Sequence, residues 1–175
     1  MSDAELARAL REAAYLEGDF TLRSGRKSRY YLDKYLFETR PALLRELARR
    51  FARYVTAEVD RIAGAELGAV ALAAATALET GRPFVIVRNA KKAGYGTGKL
   101  IEGRLEPGER VLLLEDIVTS GSQAIEAART LTAAGAKLAR IVAVIDRLEG
   151  GGEAIAAAGF AYERLFTSDD LGIAR

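Results

Sequence analysis

From residue 60 onward the chain alternates short apolar segments with helical patterns, and the longest apolar segments are continuous hydrophobic runs. VLLLED at 111–116 and RIVAVID at 140–146 are the clearest of them. A strand exposed on one face alternates apolar and polar side chains, so a continuous run indicates a strand that is covered on both faces. Such strands, separated by helices, predict an α/β fold with a mostly parallel central sheet flanked by helices.

The first sixty residues carry different signals. Ser2 begins a capping-box pattern, and the helix that follows is expected to end near Gly18. Pro41 suits the first turn of another helix, which is expected to run to about Glu58. Between these helices, residues 19–33 contain aromatic and β-branched residues around a Ser-Gly turn, which predicts two short, cation-rich extended segments.

The composition excludes several kinds of chemistry. The 175 residues include no Cys and no His, which removes thiol nucleophiles, imidazole bases, Ser-His-Asp triads and nearly all zinc sites. A net charge of +2, from 26 basic and 24 acidic residues, is too balanced to predict broad nucleic-acid binding. The charged N-terminal segment does not resemble a secretory signal, and the apolar runs are too short to span a bilayer, so we expect a cytoplasmic protein.

Residues 111–124 contain the most informative pattern, in which an apolar strand is followed by Glu115 and Asp116 and then by a small-residue turn. In a parallel α/β sheet, ligands bind at the carboxyl ends of the strands, where these carboxylates are expected. The turn from Thr119 to Gln123 offers hydroxyls and N–H groups at a helix N-terminus, which favours a phosphate. Carboxylates accept hydrogen bonds from vicinal hydroxyls, so the segment predicts a sugar-phosphate site.

Two other kinds of nucleotide site fit this sequence less well. A phosphate-loop NTPase needs a glycine-rich motif that ends in Gly-Lys-Ser or Gly-Lys-Thr, whereas Gly98 and Lys99 precede Leu100. Gly94, Gly96 and Gly98 are spaced as GxGxG, which differs from the GxGxxG of a dinucleotide site. A purely structural strand-turn-helix gives no reason for two carboxylates and a Thr-Ser-Gly cluster to occur together.

Residues 111–124 resemble the phosphoribosyl-pyrophosphate (PRPP) signature of the type I phosphoribosyltransferases. Further stretches are similar to orotate phosphoribosyltransferase and follow the order of that family: 20–34, 84–103 and the pair Asp146-Arg147. The resemblance implies a type I phosphoribosyltransferase fold in one domain over 1–175, with a small N-terminal hood over 1–35 and an α/β core over 36–175.

The resemblance also implies an activity. It is the Mg²⁺-dependent transfer of the 5-phosphoribosyl group from PRPP to orotate, which gives orotidine 5′-phosphate and pyrophosphate in de novo pyrimidine (UMP) biosynthesis. No protein ligand for the metal is implied, because Mg²⁺ prefers phosphate oxygens and retains its waters. A homodimer whose catalytic loop is shared across subunits is implied as well, with no nucleic-acid or membrane partner.

The resemblance implies roles for individual residues. PRPP binding is implied for Arg23, Arg88, Lys91, Lys92, Glu115, Asp116, Ile117, Val118, Thr119, Ser120, Gly121, Ser122 and Gln123. Orotate binding is implied for Tyr30, Tyr31, Leu32, Thr119 and Arg147. Asp116, Lys91 and Lys92 are implied to be catalytic, and which of the two lysines does the catalytic work is left open.

Some positions depart from the family pattern. Arg23 stands where a lysine is usual, and Asn89 replaces the usual second lysine of the loop over 88–99, which is expected to close over pyrophosphate. Residues 66–68 are expected to line the pyrophosphate through backbone groups.

The sequence leaves alternatives open. Arg147 could form only a surface ion pair with Asp146 or Glu149, and the aromatic strand around Tyr30 could be simple core. The activity could be that of a purine or uracil phosphoribosyltransferase, although such an enzyme has no need for Arg147 opposite a carboxylate. A non-enzymatic regulator that senses PRPP and binds nucleic acid would require a contiguous basic face.

Overall fold

The structure, a computed structural model, describes residues 1–21, 25, 27–89 and 99–173. Within these ranges the chain forms six helices and eight strands. In chain order they are α1 (Asp3–Ala14), β1 (Tyr15–Thr21), β2 (Lys27–Leu32), α2 (Tyr35–Glu38), α3 (Pro41–Ala52), β3 (Arg61–Ala65), α4 (Gly68–Thr80), β4 (Phe84–Val87), β5 (Ile101–Glu102), β6 (Arg110–Val118), α5 (Ser122–Ala133), β7 (Lys137–Asp146), α6 (Gly151–Ala157) and β8 (Tyr162–Thr167).

The strands of the central sheet lie in the order β5-β4-β3-β6-β7-β8 in the part of the chain that the structure describes. The neighbouring pairs from β4 to β8 are parallel, and β5 joins the edge antiparallel to β4. The chain proceeds outward from β3 to β4 on one side and from β6 to β8 on the other. The order therefore reverses between β3 and β6, and ligands of open α/β sheets bind in the crevice at such a switch point.

The two faces of the sheet are buried by different helices, as the continuous apolar runs predict. Leu112 and Leu114 of β6 belong to one buried cluster, together with residues of α1, α3 and α4. Val111 and Leu113 belong to a second cluster, together with residues of α5 and α6. Successive side chains of a strand point to opposite faces, so an apolar residue is needed at every position. The α/β fold with a mostly parallel sheet is confirmed.

The N-terminal segment adds a helix and a hairpin. The capping box of α1 is present, since Glu5 N–H donates to Ser2 Oγ at 3.2 Å and Ser2 N–H donates to Glu5 Oε2 at 2.7 Å. The helix ends at Ala14, before the expected end near Gly18, because β1 begins at once and pairs with β2 in a separate two-stranded sheet. The division into a hood over 1–35 and a core over 36–175 stays a prediction.

Helix α3 is shorter than its pattern predicts and ends at Ala52 rather than near Glu58. The N–H groups of Arg53, Tyr54 and Val55 bond to carbonyls three residues back, which is the geometry of tight turns. No Gly or Pro marks this end in the sequence.

Among the residues described, no helix combines the length and the hydropathy that crossing a membrane requires.

Candidate active site

Glu115 and Asp116 lie near the carboxyl end of β6, beside the switch point, and are only 6% and 3% exposed. As neighbours on a strand they project from opposite faces of the sheet. Asp116 is on the face covered by α4, where Gly68 and Lys34 approach it. The acidic pair therefore reaches both sides of the same strand end.

Asp116 is held by groups from three segments of the chain. Its Oδ1 accepts a hydrogen bond from Ile117 N–H at 2.5 Å, and its Oδ2 lies 2.5 Å from Lys34 Nζ in an ion pair. A Cβ placed on Gly68 would overlap Oδ2. The carboxylate is thus fixed in one orientation against the start of α4.

Glu115 is less completely bonded. Its Oε1 accepts a hydrogen bond from Asp116 N–H at 3.2 Å, whereas its Oε2 is buried and has no hydrogen-bond partner among the described residues. Burial, followed by the charge of Asp116, raises the pKa of the Glu115 carboxyl well above its ordinary value. Its neutral form is favoured, and a neutral carboxyl can both donate to and accept from a sugar hydroxyl.

The turn after β6 leads directly into α5. Gly121 precedes the helix with φ of +77°, and a Cβ there would lie 2.7 Å from Gly151 O, so a glycine is required. Thr119, Ser120, Ser122 and Gln123 are exposed around it. Because Gly121 has no side chain to cap α5, the first-turn N–H groups remain directed at the turn, where an anion is favoured.

Arg147 follows β7 and is brought against Tyr30 of the hairpin. Its Nη2 donates to Tyr30 Oη at 2.9 Å, and its guanidinium carbon lies 5.2 Å from the centre of the tyrosine ring. The same Nη2 is 3.0 Å from Glu149 Oε1, so the ion pair considered as an alternative is present as well. The Nε atom of Arg147 is nevertheless buried and without a hydrogen-bond partner in the described structure.

Arg88 and Asn89 follow β4 and contact the segment before α4. Arg88 Nη1 donates to Glu102 Oε1 at 3.3 Å, and its Nε lies 3.9 Å from Glu66 Oε2. Asn89 donates from its backbone to Glu66 Oε1 at 2.8 Å and from Nδ2 to Glu66 O at 2.9 Å. The residue that replaces a usual family lysine therefore tethers the segment predicted to line pyrophosphate.

The remaining predicted site residues are placed less closely together. Tyr31 is 43% exposed and packs against Phe20 with ring centres 5.6 Å apart, on the side of β2 away from Arg147. Leu32 belongs to the buried cluster under α1. Ile117 and Val118 complete β6. Arg23, Lys91 and Lys92 lie outside the described residues, so the roles given to them stay predictions.

Four buried side-chain polar atoms lack a hydrogen-bond partner in the described ranges. They are Arg88 Nε, Glu115 Oε2, Arg147 Nε and Glu38 Oε1. Leaving such a group unpaired costs about 1–3 kcal/mol, so most native proteins satisfy it. Two guanidinium donors and two carboxyl oxygens therefore lack a hydrogen-bond partner in the described structure.

Lys34 and Glu38 lie beside Asp116 although no role was predicted for them, and Gly68, which was expected to line the pyrophosphate, approaches the same carboxylate. Lys34 directly precedes α2, and Glu38 ends that helix. Both face Asp116, which comes from a distant part of the chain. Their short segment contains no local pattern that indicates a ligand site.

Comparison with known proteins agrees with this geometry. Residues 37–161 match the phosphoribosyl transferase domain family. Orotate phosphoribosyltransferases of Methanocella arvoryzae and Natronomonas pharaonis are 45% and 48% identical to this chain, over 97% and 98% of both sequences. Two structures of the Mycobacterium tuberculosis orotate phosphoribosyltransferase, in complex with Fe(III) dicitrate and with PRPP, superpose with TM-scores of 0.85 and 0.78 at 32% identity. Each alignment covers 97% of this chain and 98% of the other.

A parallel sheet with an acidic pair and a small-residue turn at its switch point is the arrangement that the sequence predicts for a phosphoribosyltransferase. The chain therefore belongs to the phosphoribosyltransferase family and, within it, to the orotate phosphoribosyltransferases.

Proposed function

We propose that this protein transfers the 5-phosphoribosyl group of PRPP to N1 of orotate and releases pyrophosphate, with orotidine 5′-phosphate as the product of this step in UMP synthesis. The observation that carries the proposal is the set of buried atoms without a hydrogen-bond partner on Arg88, Glu115 and Arg147, which matches the parts of the two substrates. PRPP brings a diol and pyrophosphate, and orotate brings a carboxylate. Each substrate group has a corresponding partner on the protein.

Three parts of the site hold PRPP. The 5-phosphate lies at the N-terminus of α5, against the turn from Thr119 to Gln123. The ribose diol lies on Glu115 and Asp116. The pyrophosphate then points toward Arg88 and the backbone of residues 66–68, which Asn89 tethers. This arrangement holds the sugar by both ends and leaves its C1 atom facing the hairpin.

Orotate is recognised on the side of Arg147. A guanidinium binds a carboxylate bidentately, and the unpaired Nε gives Arg147 a donor for that purpose. Tyr30 holds the guanidinium through its hydroxyl and presents its ring beside the same space. A purine or uracil carries no carboxylate and would leave the Arg147 donor unpaired, which disfavours those bases.

The chemical step requires orientation and charge neutralisation more than proton transfer. Orotate is already an anion, so the protein needs no strong base to activate N1. The C1 carbon passes through a cationic, oxocarbenium-like state while pyrophosphate leaves. Cations that meet the leaving group late, which are Arg88 and the lysines at 91 and 92, lower the barrier because they bind the developing charge.

Mg²⁺ enters this proposal as a companion of PRPP. Among the described residues no group of three acids is placed to cage a metal ion, and a cation that prefers phosphate oxygens and water fits a site where the substrate supplies most of the ligands. When bound it would neutralise pyrophosphate charge.

We further propose a cytoplasmic homodimer whose loop over 88–99 serves the neighbouring subunit, without nucleic-acid or membrane partners.

An assay of pyrophosphate release tests the proposal. The protein is incubated with PRPP, Mg²⁺ and one base at a time, namely orotate, uracil or hypoxanthine. Release with orotate alone is expected. Arg147→Lys should raise the KM for orotate while the KM for PRPP changes little, because an ammonium cannot replace a bidentate guanidinium. Release with hypoxanthine and none with orotate would show that the base is wrong.

A further inference from the structure

Lys34 occupies a position in the site that neither the strand motif nor the loops explain. Its Nζ lies 2.5 Å from Asp116 Oδ2, and its side chain is 29% exposed whereas that of Asp116 is 4% exposed. The ammonium therefore covers the carboxylate from the solvent side. A Cβ placed on Gly68 would lie 2.8 Å from this Nζ, so Lys34 also borders the segment proposed to line pyrophosphate.

The surroundings of this ion pair are acidic. Lys34 interacts electrostatically with Glu115 of β6 and with Glu38 of α2. Glu38 in turn interacts with Asp33, which lies before that helix. The ring of Tyr35 is 5.5 Å from Lys34 Nζ. Burial by itself lowers the pKa of Lys34, but the charge and hydrogen bond of Asp116 outweigh it and the pKa is raised. Lys34 thus stays charged beside several carboxyl groups.

We propose that Lys34 is a positioning residue of the PRPP site, which holds the Asp116 carboxylate in the orientation that receives the ribose diol. The inference rests on the proposed function, because it assigns Lys34 a task in PRPP binding. Each carboxylate oxygen accepts about two hydrogen bonds, so Oδ1 and Oδ2 retain capacity for hydroxyls after Ile117 N–H and Lys34 are bound. The ammonium also offsets the negative charge that Asp116 and PRPP bring together.

Calorimetric titration with PRPP and Mg²⁺ separates this role from a purely structural one. The parent protein is compared with Lys34→Met, with Lys34→Arg and with Lys137→Met. The last variant removes an exposed lysine at the amino-terminal end of β7, whereas the site lies at the carboxyl ends of the strands. Lys34→Met should weaken PRPP binding roughly tenfold to a hundredfold, the range expected for one charge-assisted hydrogen bond. Lys34→Arg should recover most of the loss, and Lys137→Met should bind as the parent does.

The outcomes are distinguishable. A parent protein that does not bind PRPP contradicts the proposed function. A parent that binds while Lys34→Met binds equally well overturns the positioning role alone. A loss that Lys34→Arg does not recover would also overturn it, because restoring the positive charge would then not restore the orientation of Asp116.

Discussion

At the scale of single residues, Asp116 is the side chain of the site that three separate segments of the chain approach. Its two oxygens contact Ile117 N–H and Lys34 Nζ, and the carboxyl is almost fully buried. An amide of the same shape cannot accept hydrogen bonds at its nitrogen. Replacing this carboxylate therefore leaves Lys34 without its counter-ion and, in the proposed mode of PRPP binding, removes an acceptor for the ribose diol.

Asp116→Asn should lower kcat/KM for PRPP at least about a hundredfold while the fold survives, since charged groups contribute more than neutral hydrogen bonds. Steady-state kinetics and a thermal melt check both parts. Asp60→Asn is a matched control, because Asp60 is exposed and directly precedes β3, at the amino-terminal end of the strands and away from the site. Equal kcat/KM for Asp116→Asn and the parent would refute the role of this carboxylate.

The residues that could be predicted are those whose chemistry follows from local order. Glu115 and Asp116 are recognisable because an apolar strand precedes them and a small-residue turn follows. Lys34 and Glu38 could not be recognised, because their importance arises from contact with a strand far along the chain. No pattern within a short segment reports such a contact.

At the scale of elements, the start of α4 is shaped by the acidic pair. Gly68 is the first residue of this helix, and the Asp116 carboxylate occupies the space that a Cβ on Gly68 would need. Alanine would normally favour a helix over glycine by about 0.5–1 kcal/mol. The absence of a side chain at this position is therefore explained by the close approach of Asp116 and not by the needs of the helix.

Gly68→Ala should displace the Asp116 carboxylate and weaken PRPP binding about tenfold or more, consistent with loss of a charge-assisted contact. The measurement is the same calorimetric titration, with circular dichroism to show that the helices are retained. Unchanged PRPP affinity in a folded Gly68→Ala protein would mean that the carboxylate can move without consequence.

The loop that carries Lys91 and Lys92 leads to a separate prediction. If one ammonium meets the leaving pyrophosphate, Lys91→Ala and Lys92→Ala should differ, and one of them should lose far more kcat than the other. Turnover is measured with both substrates saturating. Small and identical losses would indicate a solvated loop with no catalytic lysine.

Element boundaries were predictable where a specific residue type ends the helix. Gly81 ends α4 in the left-handed conformation with φ of +71°, and a glycine at that position is recognisable in the sequence. The ends of α1 at Ala14 and of α3 at Ala52 have no such marker. The end of α1 is set by β1, which begins at the next residue, whereas α3 ends in tight turns that no residue type in the sequence marks.

At the scale of the whole molecule, stability is coupled to the site through Glu38. Burial, followed by the charge of Asp116, raises the pKa of Glu38 from 4.5 to about 8. Between these values the folded protein retains a proton that the unfolded chain releases, so raising the pH favours unfolding. The contribution to stability is complete below about pH 4.5 and is lost as the pH rises through about 8.

Glu38→Gln should remove this part of the pH dependence, because the amide is neutral throughout. The melting temperature of the variant should fall less than that of the parent between about pH 5 and about pH 8, as the linkage relation requires. Melts at matched ionic strength measure the difference. Parallel pH profiles for the two proteins would mean that Glu38 titrates near its ordinary value in the folded state.

The order of the strands reverses between β3 and β6, and the acidic pair, the turn from Thr119 to Gln123 and residues 66–68 all lie at or just after the carboxyl ends of these two strands. A crystal structure of the protein with PRPP is the most direct test. We expect both ribose hydroxyls within hydrogen-bond distance of Glu115 and Asp116, with the 5-phosphate at the N-terminus of α5. PRPP bound elsewhere, or with its diol turned away from these carboxyls, would contradict the proposed site.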